Sequence, residues 1–260
     1  MADIHTINTP APEIVARAVA LYPEALRAGE RLDATRFAFH IDLVRNRAPV
    51  GGKVMDVGGG MGAFCPALAL AGLQVTLVDD LLDPINHEWP IEKLGAHRAT
   101  GVEVMAVDAS SDAFDPPYGF DVITSFDSIE HWHRSPKRAL HKIVAALNPG
   151  GYLVLGLPNC VNLRKRITVP WGYGKWSSMQ SWYEEPIFRS HVREPDVDDL
   201  RYIAHDLALT EVQIFGRNWA GYANRRKLIR NLTRFVDYPL RLMPSLCSDL
   251  YLIGRKPLDG

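Results

Sequence analysis

Four side chains able to move a proton or grip a cation fall together in the run Phe126–His133: Asp127, Glu130, His131 and His133. An imidazole with an unperturbed pKa of about 6.5 accepts a proton near neutral pH without large tuning, and a neighbouring carboxylate orients it or binds a hydroxyl. His131 is the first choice as such a base, with Glu130 or Asp127 as its partner. The structural alternative is that Glu130-His131 pins its loop to the helix that follows, which His133 caps near Ser135-Pro136. The same four side chains make a hard oxygen and nitrogen set of the kind magnesium takes. They cluster locally without a matched partner elsewhere, so magnesium is not favoured and no metal is assigned. Further along, Ser190-His191-Val192-Arg193-Glu194 offers His191 as a second base or substrate contact and Arg193 as a binder of carboxylate or phosphate. Arg193 and Glu194 serve equally as caps of a helix entered at Pro195.

These groups need elements to position them. Lys53–Val57 is a hydrophobic strand that leads through Gly58-Gly59-Gly60-Met61-Gly62 into the apolar helix Ala63–Ala71, ended by Gly72. Glycines at 58, 60 and 62 allow a tight turn and a close approach of backbone to a ligand, and Asp56 stands just before it. Leu73–Val78 is a second strand ending at Asp79-Asp80, about twenty residues past the first glycine, where a doubly wound fold receives a ribose hydroxyl pair. Asp79 also suits a helix cap, since Asp83 and Pro84 follow. Strand Val102–Val107 ends at Asp108-Ala109, where Asp108 has the alternative of a turn acid before Ser110-Ser111. Strand Phe120–Phe126 leads into the cluster above, and Gly151–Pro158, preceded by Leu147-Asn148-Pro149-Gly150, is the fifth. Five strands whose carboxyl ends carry glycine, acid, acid, polar and Pro-Asn groups describe one ligand crevice.

In order and spacing, the Asp56–Gly62 turn, Asp79, Asp108-Ala109, Phe120-Asp121 leading to Ile129-Glu130-His131, and Asn148-Pro149-Gly150-Gly151 resemble the class I S-adenosylmethionine-dependent methyltransferases over residues 50–160. A dehydrogenase competes for the glycine turn, but its G-x-G-x-x-G is absent, because Cys65 stands three residues after Gly62. The resemblance implies a doubly wound, mostly parallel sheet of seven strands with the last antiparallel. It implies S-adenosylmethionine as cofactor, with Asp56, Gly58, Gly59, Gly60 and Gly62 on its methionine and ribose part and Asp79, with Asp80 beside it, on the ribose hydroxyls. Asp108 would take the adenine amino group, flanked by Ala109 and Phe126.

At 260 residues the chain is long enough for one large α/β domain with an insertion. Three parts are expected within it: helices over 1–49 covering the crevice, the cofactor half over 50–158, and an acceptor-binding insertion with the last two strands over 159–260. Twenty-nine basic against thirty acidic residues leave no global field to attract nucleic acid. Cys65, Cys160 and Cys247 are odd in number and widely spaced, which suits a reducing compartment. With no secretory leader at Met1–His5 and no apolar run of spanning length, a cytoplasmic location is expected.

Acceptor choice is expected in the long connection after the fifth strand. It holds Asn159, then Trp171, Tyr173 and Trp182, then His191 and Arg193, aromatic faces mixed with amide and charged groups. Such a mixture suits stacking on a sugar ring, and equally the packing of an irregular loop. The pattern here resembles methyltransferases of sugar and polysaccharide biosynthesis. The reading is therefore an O-methyltransferase acting on a sugar, saccharide or related small hydroxylated metabolite by in-line transfer with base help. A quinone-type phenol or lipid as acceptor, and a non-catalytic cofactor-binding scaffold, are the alternatives. Finally, 225–240 places Leu228, Leu232, Phe235 and Val236 on one helical face with cations opposite. A surface helix packed on its sheet is preferred, peripheral contact with an anionic membrane is the alternative, and a homodimer interface is a third use.

Overall fold

Alternate residues of the central strands are buried on opposite faces, and that alternation sorts the core into two layers. The computed structural model describes residues 9–82, 90–174, 177–186, 188–222 and 226–258. Its sheet has seven strands: β1 (Lys53–Val57), β2 (Gln74–Asp79), β3 (Glu103–Ala106), β4 (Phe120–Phe126), β5 (Leu147–Pro158), β6 (Thr210–Arg217) and β7 (Asp249–Arg255). They lie in the order β3-β2-β1-β4-β5-β7-β6, with β7 antiparallel to both neighbours and the others parallel. This is the expected doubly wound sheet. Val54, Val122 and Val154 face one layer, while Met55, Ile123, Leu153 and Leu155 face the other. Strands buried on both faces are necessarily near-continuous apolar runs. β3, short and half-exposed, closes one edge.

Three N-terminal helices, α1 (Ala11–Ala20), α2 (Glu24–Leu32) and α3 (Ala34–Arg45), pack with α4 (Phe64–Leu70) on the first face through Ile14, Val15, Ile41 and Val44. Pro23 separates α1 from α2 and stands at the N-cap of α2. α5 (Pro90–Ala99) adds Ala96 to that layer. α6 (Lys137–Ala146) and α9 (Val197–Asp206) cover the second face with Leu140, Ile143 and Leu200. The chain leaves β1 toward β2 on one side and returns to β4 on the other, so the switch point, where such sheets bind ligands, lies between the carboxyl ends of β1 and β4.

Four expectations are corrected. Asn148-Pro149-Gly150 belongs to β5 instead of preceding it, because Leu147 already pairs with Phe120 before the register shifts at Val122. The connection after β5 is not irregular throughout. It contains α7 (Leu163–Thr168), capped by the Asn162 side chain on the Lys165 amide, and α8 (Met179–Glu184). Helix α9 is capped by Asp196 and Asp199 in a reciprocal capping box, not by Arg193 or Glu194. The basic stretch near the end forms α11 (Lys227–Arg241), after the single turn α10 (Trp219–Tyr222). On it Val236 turns half inward, whereas Leu228, Leu232 and Phe235 are exposed rather than packed on the sheet. Met1–His5, Asp83-Pro84, Lys175-Trp176 and Arg225, all weighed from the sequence, lie outside the described residues.

Candidate active site

The turn after β1 closes on itself before it offers anything to a ligand. The Gly58 amide donates to the Val78 carbonyl at 2.7 Å, and Gly58 and Gly60 hold φ of 71° and 62°. A Cβ on Gly58 would meet the Ser128 Oγ at 1.8 Å, and one on Gly59 would meet the Asp56 carboxylate at 1.8 Å. Asp56 itself is buried beneath the turn, accepting from Thr124 Oγ1 at 2.6 Å with Cys65 Sγ at 3.5 Å. Burial pushes its pKa up to about 6. Asp56 therefore braces the loop from the α4 side and does not line the cleft. Strand alternation carries the reason: Val54 and Asp56 share the face that α4 covers. Gly62 is likewise turned away, toward Glu30 and Phe37 of the N-terminal helices.

The cleft at the switch point has a volume of about 380 Å³, within the roughly 300–1,000 Å³ of small-molecule sites. Gly58 and Gly60 form its floor, and Asp79, Asp80, Asp108 and Ala109 form one wall. Asp79 accepts from the Gly60 and Leu81 amides at 2.9 and 2.7 Å, tying the end of β2 to the glycine turn. Asp80 pairs with Arg189 at 3.6 Å, and Asp108 accepts from the Ser110 amide at 2.8 Å. Where a Cβ on Gly60 would stand there is nothing within 4 Å, so the backbone lies open to a ligand there. Phe126 is not on the cleft: it stacks on His40, with ring centroids 3.8 Å apart.

The opposite wall follows β4. Asp127, at φ 48°, pairs with Arg36 of α3, which also holds Asp33 at 3.1 Å. His131 faces the cleft with its Nδ1 2.6 Å from the Arg189 carbonyl oxygen. Behind it lies Glu130, 1% exposed, whose carboxylate oxygens find no hydrogen-bond partner among the described residues. Burial, with Asp127 as a lesser cause, pushes the Glu130 pKa up to about 8. His131 Nε2 stands 3.9 Å from Glu130 Oε1, and the His191 ring is edge-on to His131 at 4.8 Å. His191 Nδ1 in turn bonds Glu194 at 2.7 Å, and Glu194 pairs with Lys165. One ligand atom each from Glu130, His131 and His191 lies within 4.8 Å of the others, a donor set that suits a divalent cation. Asp127 and His133 are not in that group. His133 does not cap the following helix but bonds the Phe188 carbonyl at 2.7 Å.

Of the expected acceptor residues, His191 packs on His131, but the others are not brought to this cleft. Asn159 is fully buried and holds the Ser245 and Cys247 carbonyls at 3.0 and 2.8 Å. Trp171, Tyr173 and Trp182 stand exposed, and Arg193 pairs with Asp199 at 3.1 Å. Sequence reasoning missed Ser128, Trp132, Arg134, Phe188 and Arg189 on the lining, and Arg36 and His40 behind it. Arg36 and His40 carried a signal, since both are polar residues on a helix expected to cover the crevice. Phe188 and Arg189 come from the long connection, and no periodicity marks them.

A seven-stranded sheet of this order, with a glycine turn at the switch point and acids on the next two strand ends, defines a nucleoside-cofactor enzyme of the class I methyltransferase type. A family model described as a methyltransferase domain matches residues 31–213, well over half of the chain, and the chain belongs to that family of S-adenosylmethionine-dependent methyltransferases. A ubiquinone biosynthesis O-methyltransferase from Idiomarina loihiensis is 33% identical over 109 residues, 42% of this chain and 43% of the relative. The mitochondrial ubiquinone biosynthesis O-methyltransferase of Schizosaccharomyces pombe is 26% identical over 139 residues, 53% of this chain and 50% of the relative. The chain thus spans about half the length of the curated relatives it matches. Phosphoethanolamine N-methyltransferase 2 of Haemonchus contortus, solved with S-adenosyl-L-methionine, superposes with a TM-score of 0.54 at 16% identity, over 84% of this chain and 52% of that one. At that identity the likeness is one of fold.

Proposed function

We propose that the enzyme methylates the hydroxyl of a quinone-type phenol, with His131 as the base. The observation that carries this is the hydrogen bond from His131 Nδ1 to the Arg189 carbonyl. A carbonyl accepts only, so Nδ1 carries the proton and the neutral ring keeps its lone pair on Nε2. A phenol, with a pKa near 10 as in tyrosine, is within a few units of an imidazole, so one histidine is a sufficient base. Trp132 and Phe188 on the cleft suit an aromatic acceptor, and the curated relatives are named for ubiquinone biosynthesis. A saccharide acceptor has no such support, because the aromatics expected to stack on sugar stand away from the cleft.

S-adenosylmethionine supplies an electrophilic methyl on a sulfonium when bound. Gly58 and Gly60 leave backbone room for it, Asp79 and Asp80 would hold the ribose hydroxyls, and Asp108 with Ala109 would hold the adenine. Asp127, fixed by Arg36, positions the acceptor beside His131.

A second reading rests on the Glu130 carboxylate, which has no hydrogen-bond partner among the described residues. Glu130, His131 and His191 would hold a divalent cation, whose charge stabilises a phenolate without a base. Methyl-transfer assays on a panel of dihydroxyphenols, sugars and amines, with and without chelator, test both. Transfer to phenols that survives chelation supports the base. Loss on chelation with recovery on adding magnesium supports the cation, and transfer to sugars alone overturns the acceptor.

A further inference from the structure

We infer that helix α11 is an interfacial anchor that lays the enzyme on an anionic phospholipid bilayer. Its orientation is inverted relative to an ordinary surface helix. The side turned to the protein is polar: Asp237 is buried, accepting from Asn218 at 2.8 Å and Tyr222 at 3.0 Å and pairing with Arg241. Gly221 lies so close to Thr233 that a Cβ there would meet its Oγ1 at 2.3 Å. These contacts fix the rotation of the helix and leave the apolar stripe outside. Leu228 is 80% exposed, Leu232 57%, Phe235 85% and Leu242 72%. Their spacing of four, three and seven residues puts them in one line along the helix. A contiguous apolar surface of this kind marks a binding face.

Charge selects the occupant. Lys227 and Arg234 stand exposed on α11, each one residue before a member of the stripe, while its one acid, Asp237, is buried and paired with Arg241. α11 carries four basic residues and one acid, whereas the whole chain has twenty-nine basic and thirty acidic residues. A second copy of the same helix on this stripe would bring two basic rows together with no acid to offset them. A bilayer with anionic headgroups matches both features: leucine and phenylalanine enter the acyl boundary while lysine and arginine meet phosphate. The inference does not depend on the acceptor. It is also separate from bilayer crossing, since no helix among the described residues is long and apolar enough to span.

The test is co-sedimentation of the full chain with vesicles of mixed phosphatidylglycerol and phosphatidylcholine, against phosphatidylcholine alone. The wild type is expected to sediment with the anionic vesicles and to be released by salt. Leu232→Glu with Phe235→Glu, and separately Lys227→Glu with Arg234→Glu, should each lower the bound fraction about tenfold or more. Retained binding of S-adenosylhomocysteine shows that the variants are folded. Should the first pair not fold, Phe235→Trp reports the contact instead, by a blue shift of emission with anionic vesicles. The inference is overturned by absence of sedimentation, by binding that both pairs of substitutions leave intact, by an unshifted Trp emission, or by a wild-type dimer that the Leu232→Glu, Phe235→Glu pair turns into a monomer.

Discussion

His131 Nδ1 and the Arg189 carbonyl oxygen are 2.6 Å apart, although 58 residues separate them in the chain. The bond joins the turn after β4 to the connection after β5, and the Glu130 carbonyl does the same by accepting from the Val192 and Arg193 amides at 2.7 and 3.2 Å. The turn that carries Glu130 and His131 is thus held to this connection by backbone groups, with the His191 ring packed against His131. Arg189→Ala should keep the His131 tautomer and lose only the Asp80 ion pair, so weaker binding of S-adenosylhomocysteine with kcat reduced less than about threefold is the expected result by calorimetry and steady-state kinetics.

Gly58 and Gly60 share a left-handed backbone but differ in what a side chain would strike. Gly58→Ala drives a methyl into Ser128 Oγ, while Gly60→Ala meets open space and only the unfavourable φ. Thermal unfolding should fall for Gly58→Ala by an amount corresponding to about 2–3 kcal/mol, and for Gly60→Ala by about 1 kcal/mol. Ser128→Gly should rescue the first and not the second.

Asp79 accepts the Gly60 amide of the glycine turn and the Leu81 amide just after β2, so it shapes the loop besides its proposed role at the ribose. Asp79→Ala should weaken S-adenosylhomocysteine roughly 10- to 100-fold, in line with about 1.5–3 kcal/mol for a charged hydrogen-bond partner. Asp56→Asn, by contrast, should keep much of the affinity and cost stability, because Asp56 lies under the loop.

Glu130 gives a pH signature with a definite sign. Its pKa is raised in the folded protein to about 8, so between about 4.5 and 8 the folded state binds a proton that the unfolded chain has released. Stability is then fullest below the unfolded value and falls as pH rises through that window. Chemical denaturation in metal-free buffer should show this decline, on the order of a few kcal/mol, and Glu130→Gln should flatten it. A wild-type slope unchanged by the substitution would place the decline elsewhere, with Asp56 and Asp249, both near 6, as the next groups to test.

Local rules carry the cofactor half of this protein. Val54-Met55, Leu77-Val78 and Ile123 announce buried parallel strands, and Gly58, Asp79 and Asp108 arrive at their ends in order. The rest of the cleft follows no local rule. Arg36 reaches Asp127 across 91 residues, and Arg189 reaches both His131 and Asp80 from a segment without periodicity. Trp171, Tyr173 and Trp182 look like binding residues by composition, yet composition does not say which way an irregular segment turns. The polar inner face of α11 is invisible for a related reason. Asn218 and Tyr222, which follow β6 in the chain, show together with its burial that Asp237 points inward.

The most direct measurement is single-turnover methyl transfer from labelled S-adenosylmethionine to a dihydroxyphenol, in wild type and His131→Ala, with cofactor binding followed in parallel. The account predicts transfer to the phenolic oxygen by the wild type, and a rate about 10²- to 10⁴-fold lower in the variant at unchanged cofactor affinity. Absence of transfer to any phenol, or a variant as fast as the wild type, would contradict it.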